Sequence, residues 1–252
     1  MFFRFLCLVL LAFSLFTGRA QAQEYSQISW INLIHTLVRF NALNLLDQNL
    51  LDEYAIISEC DLYKKYYQND FKWNQVRQAI RESVSMNVAT YPTNYQHDLT
   101  MRLGRFDFEG KIFRFDEKSS LHGVNTFALL AVDGTGCGGA KVEYIPRVFR
   151  AILSSPIFLE GLPLSEEDAQ ALLTRMEKNQ NPERIIFLRY NFRTVYVEPL
   201  RKIEERRDMG QKAHYAQTNA GSQKEVKFDM QLDSVGFYED PQRTKLIYQY
   251  TP

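Results

Sequence analysis

Residues 184–200, RIIFLRYNFRTVYVEPL, are the longest segment of the chain that reads as one β-strand. Ile186, Leu188, Tyr190, Phe192, Thr194 and Tyr196 fall on one side, and Arg189, Asn191 and Arg193 punctuate the other. That is the two-residue period of a strand with one buried face, so a core packs against it.

Working outward, Leu164–Lys178 reads as a helix. Ser165 and Asp168 form a capping-box-like pair, and Ala169, Leu172, Leu173 and Met176 make its stripe. Downstream, Arg201–Glu225 is polar, mixed in charge and without apolar period, which predicts a mobile loop near 204–224. Val226, Phe228, Met230 and Leu232 then alternate with polar residues, as do Leu246, Tyr248 and Tyr250 beyond a turn at Asp240-Pro241. Further upstream, Leu99–Phe115 predicts a hairpin around Glu109-Gly110, with Phe106 and Phe108 facing Phe113 and Phe115 and a bulge at Gly104. Asn125–Val132 and Lys141–Leu153 predict two more strands, the second near an edge because of Pro146.

The pattern before Pro92 is helical. Stripes start at Trp30 and at Leu51, the latter behind a capping Asp47. A third, Trp73, Val76, Ile80 and Val84, stands behind Asp70 as N-cap. Helices first and strands later predict an α+β fold, with N-terminal helices packed on a mainly antiparallel sheet and one further helix. We expect one domain over 23–252, helical over 23–91 and mainly β over 92–252.

Residues 1–22 carry Arg4, an apolar run from Phe5 to Phe16 and an Ala20-Gln-Ala22 ending, the layout of a cleaved signal peptide. A periplasmic or secreted location is expected, with no integral membrane span after cleavage. Cleavage removes two of 30 basic residues and none of the 30 acidic ones, a net charge of about −2 that offers no nucleic-acid surface. The two cysteines then remaining, Cys60 and Cys137, are expected to pair in an oxidising compartment. Two carboxylates, Glu59 and Asp61, flank Cys60 and would raise its pKa, which argues against a nucleophilic thiol.

No motif assembles a catalytic or cofactor site. Gly134-Thr-Gly136-Cys-Gly-Gly139 matches G-x-G-x-x-G, but Lys141–Pro146 is a poor helix start, so the motif reads as a flexible turn holding Cys137 and no cofactor is expected. His35, His97, His122 and His214 have no metal-ligand spacing, and no metal is expected. Ser120-Leu-His122 beside Asp133 or Asp116 reads as a turn. Tyr63, Tyr66 and Tyr67 read as cover for a core edge or as a binding surface.

Residues 54–67, YAIISECDLYKKYY, with DFKW (70–73), LGRFDFEGKIF (103–113) and FLEGLPLSEEDAQALL (158–173), resemble uncharacterised secreted bacterial proteins classed as a domain of unknown function. The resemblance implies bacterial export and no activity. The leading functional expectation is an exported, non-catalytic module that binds an envelope protein or small ligand. The alternative is a hydrolase whose acid and base come from Asp107, Glu109 or Asp133 near His122.

Overall fold

The computed structural model describes residues 24–116, 121–199 and 225–252. The expected signal peptide, the loop near 204–224, Ser120 and His214 lie outside them. The N-terminal part holds β1 (Ser26–Gln27), α1 (Trp30–Arg39), α2 (Gln48–Ser58), α3 (Cys60–Tyr66) and α4 (Asp70–Asn87). Next come β2 (Asn94–Asp107), β3 (Ile112–Phe115), β4 (Val124–Ala131), β5 (Val148–Ile157) and β6 (Gly161–Pro163). Then follow α5 (Glu166–Lys178), β7 (Ile185–Val197), β8 (Glu225–Tyr238) and β9 (Leu246–Tyr250). The class is α+β. Among the described residues no helix is long and apolar enough to cross a membrane.

Side-chain caps start α1, α2, α4 and α5, whereas α3 has none. Ser29 Oγ accepts from Asn32 N at 3.2 Å to open α1, which buries Leu33, Ile34, Leu37 and Val38. Asp47 accepts from Asn49 N and Leu50 N. The expected second stripe is divided into α2 and α3 because Glu59 leaves helical geometry at φ −127°. For α4 the cap is Asn69, not Asp70: Asn69 Oδ1 accepts from Lys72 N at 3.0 Å. Asp70 lies one residue later, in the first turn, where its charge suits the helix's positive end. Ser165 caps α5 as expected, bonded to Asp168 through both backbone and side chain.

The strands form one sheet in the order β4-β5-β8-β7-β2-β3-β6, with β1 on β2 and β9 on β8. Pairing is antiparallel except for β1/β2 and β5/β8. Phe127 on β4 lies 5.1 Å from the Tyr190 ring and 5.6 Å from the Phe192 ring on β7. In a flat sheet those strands would stand three steps, or about 14 Å, apart. The sheet therefore curls, and its inner face carries the Phe127, Tyr190 and Phe192 part of the core.

Three sequence expectations change here. On β7 the residues from Ile186 to Thr194 alternate inward as expected, but Tyr196 is 51% exposed and Val197 is buried. A bulge against β8 between Thr194 and Tyr196 inserts one residue and reverses the faces. Phe108 lies in the β2–β3 turn, packed edge-on to Phe106, and so does not face Phe113 or Phe115 across the ladder; the bulge at Gly104 is present. Finally, the strand expected over Lys141–Leu153 runs over Val148–Ile157 instead. It lies between β4 and β8 rather than near an edge, and Pro146 falls in the loop before it.

Tyr190 is fully buried, and its hydroxyl has no hydrogen-bond partner among the described residues. Burial pushes its phenol pKa upward, since the charged form has nothing to solvate it. Tyr190→Phe is expected to be neutral or to stabilise by up to about 1 kcal/mol, because it removes a desolvated polar atom and little shape. A urea midpoint falling by the equivalent of more than about 1 kcal/mol would show that the hydroxyl makes a valuable bond.

Candidate functional site

The loop between β4 and β5 is anchored to α2 and α3 at three points. Cys60, at the start of α3, joins Cys137 with Cα atoms 5.1 Å apart. Gly136 lies so close to Ile56 of α2 that a Cβ would collide with it. Glu53 of α2, 5% exposed, sends its carboxylate into the loop backbone and accepts from Glu143 N at 2.5 Å, Tyr144 N at 2.7 Å and Ile145 N at 2.7 Å. The Gly134–Gly139 turn carries a single 3₁₀ turn, Cys137–Gly139, and no α-helix follows it, so there is no helix N-terminus to receive a pyrophosphate.

The carboxylates of the hydrolase reading serve their own turns. Asp107 accepts from Glu109 N and Gly110 N, both at 3.1 Å, and pairs with Arg114. These bonds hold its carboxyl below the usual carboxylate range. Asp133 is likewise lowered, by Thr135 N and its hydroxyl. Glu109 shares the β2–β3 turn with Asp107. His122 precedes β4, edge-on to Phe158 with centroids 5.5 Å apart, and Asp133 follows the same strand. Eight extended residues, roughly 26 Å of rise, separate His122 from Asp133. Asp116 follows β3, and the chain between it and Leu121 is outside the described residues. Among the described residues no three His, Cys, Asp or Glu side chains group to hold a metal ion.

A second polar cluster joins α1 to α2. His35 Nε2 and the Tyr54 hydroxyl are 3.0 Å apart, and the imidazole stacks on Tyr91 at 4.0 Å and 7°. Burial lowers the His35 pKa and raises that of Tyr54. Burial also lowers His97 on β2, against the opposing pull of Asp98. Both imidazoles thus bind protons more readily in the unfolded chain, so stability rises with pH across the window below the ordinary value of 6.5. The urea midpoint is expected to fall as pH drops through 6.5, and less steeply in His35→Gln. A midpoint flat from pH 7 down through that window would contradict this.

A cavity among the described residues lies elsewhere, where two strands share one edge of β8. The β5 pairing with β8 ends at Leu153 opposite Met230, and the β9 pairing begins with Tyr250 opposite Val235. Gln231–Ser234 therefore have no strand partner on that edge among the described residues, while β7 pairs along the other. The break opens into a cavity of about 420 Å³, walled by Ser154–Ile157 on one side, Gln231–Asp233 at its back and Tyr250–Pro252 on the other. Asp233 accepts from the Tyr25 hydroxyl at 3.1 Å and from Arg193 at 3.3 Å, and Arg193 also donates to Gln231 Oε1 at 3.0 Å. Burial, then the Asp233 charge, pushes the Tyr25 phenol up to about 12. No residue of this cavity stood out in the sequence.

A family model described as Domain of unknown function (DUF4852) matches residues 47–175, half of the chain. The match takes in Glu53, Cys60, Cys137 and the β5 wall of the cavity, and stops before β7 and β8. No curated protein and no solved structure matches.

Proposed function

Because the chain belongs to the DUF4852 family, whose description names no activity, we propose its function from its own geometry: an exported, non-catalytic module that binds its ligand in the break of the β8 edge. The cavity carries this reading. It is of ligand size, within the roughly 300–1,000 Å³ of small-molecule sites, and holds both polar and apolar walls. Its one side-chain carboxylate is engaged by Arg193 and Tyr25, and His122 is not among its walls, so no acid–base pair of side chains stands in it. Export is supported by the signal-like layout of residues 1–22 and by the paired cysteines. In this reading the helical front end packs on the sheet, supported by the Glu53 contacts and by the Trp30 indole, which donates to the Pro146 carbonyl at 3.0 Å.

The test has two arms on the purified protein. A pull-down from envelope extract is compared between wild type and Gln231→Leu, and an esterase, glycosidase and peptidase screen is run beside it. Retention of an envelope component that Gln231→Leu loses is expected. Turnover that disappears in His122→Ala would overturn the binding reading in favour of the hydrolase.

A further inference from the structure

We propose that the cavity takes a compact, neutral, polyhydroxylated ligand of roughly one or two sugar rings. The inference rests on the binding reading above and names the class of ligand.

The topology first decides shape. β5 runs parallel to β8 and aims its C-terminal end at the break, whereas β9 runs antiparallel and aims its own end at the break from the opposite direction. The lines of both strands close in the plane of the sheet, with Ser154 on one side and Thr251 on the other. An extended peptide lying along Gln231–Ser234 would collide with one or both, so strand addition, the common use of a free sheet edge, is blocked. What fits is a short object entering across the sheet rather than along it.

Charge and hydrogen bonding decide the rest. The Asp233 carboxylate is already answered by the Arg193 guanidinium and the Tyr25 hydroxyl, so no side chain of the lining offers an uncompensated charge to repay the desolvation of an ion. Its remaining polar groups are hydroxyls of Ser154, Ser155 and Thr251, each able both to donate and to accept, and the Gln231 amide, whose Oε1 already accepts from Arg193 and whose NH₂ can donate. Alternate residues of Gln231–Ser234 add backbone N–H and C=O groups on the same edge. A ligand of hydroxyl groups, also donors and acceptors at once, satisfies such a lining in either sense. Pro156, Pro252 and the Tyr250 ring, none of them buried, supply the apolar area that the C–H faces of a sugar ring would cover.

Calorimetric titration of the whole purified protein with neutral mono- and disaccharides, a uronic acid, an amino sugar and a tripeptide tests this. A neutral saccharide is expected to bind, and Ser155→Val and Gln231→Leu, both at exposed positions, are expected to weaken it about tenfold or more with unchanged melting temperature. Saccharide binding that both variants leave intact places the ligand elsewhere and overturns the assignment. Binding of the uronic acid, the amino sugar or the tripeptide in place of the neutral sugars, lost in the same variants, overturns the ligand class but keeps the binding site. If no probe binds at about 10 mM, the ligand class also falls. The pull-down with Gln231→Leu then decides whether the binding reading falls with it.

Discussion

Replacing Cys60 and Cys137 together by alanine is expected to destabilise the oxidised protein by about 4 kcal/mol. The bond spans 77 residues, and in the chain-entropy account a loop of that size takes about this much freedom from the unfolded chain. It is also a large part of a typical total stability of about 5–15 kcal/mol. The bond ties the start of α3 to the turn after β4, elements that backbone ladders do not connect. A fall in melting temperature of roughly 8–16 °C follows for a chain of this size. Mass spectrometry of unreduced, alkylated protein lacking residues 1–22 gives an independent reading, with neither cysteine alkylated. Two alkylated cysteines, or a variant melting within about 2 °C of the parent, would leave the helical part held by packing alone.

The inward face of β7 could be read from alternation because Ile186 to Thr194 meet one continuous core. The reversal at Tyr196 could not, since it arises from the register with β8, a strand distant in sequence. The starts of α1, α2 and α4 were legible to within a residue, because a cap is local chemistry, whereas α3, which starts without a side-chain cap, was not. The choice of Asn69 over Asp70 turned on backbone geometry, which two adjacent cap-forming residues leave open. The pairing of Cys60 with Cys137 followed from their being the only two cysteines after residue 22. The cavity left no trace in the sequence because it is made where strands β5 and β9 run out along a third strand. Ser154, Ser155, Gln231 and Asp233 carry no spacing that signals a site. Glu53 did leave a signal that went unused. It sits in α2 between Leu50 and Ile57 at helical spacing, on a stripe where a carboxylate is rare unless donors await it.

Those donors make Glu53→Ala the other substitution with a large expected effect, a loss of about 3–5 kcal/mol. The carboxylate accepts three consecutive backbone N–H groups, and its removal leaves them without a partner on that side. Ile145 is fully buried, so water cannot readily replace the bond at that residue, whereas the exposed Glu143 can recover part of its loss. Glu53→Gln separates charge from shape: its amide oxygen can serve one or two of the donors while its NH₂ opposes the third, so an intermediate loss is expected. The measurement that distinguishes an anchor from a passive buried residue is hydrogen exchange at the amides of residues 143–145. These amides are expected to be protected in the parent and to exchange far faster in Glu53→Ala, with the β2–β7 ladder unchanged. Because the same loop carries Pro146, whose carbonyl accepts from the Trp30 indole, loosening should spread to the start of α1 and appear as a shift in tryptophan emission. Stability within about 1 kcal/mol of the parent, with exchange at 143–145 unaltered, would mean that the loop is held by the disulfide and by Gly136 against Ile56 without the carboxylate.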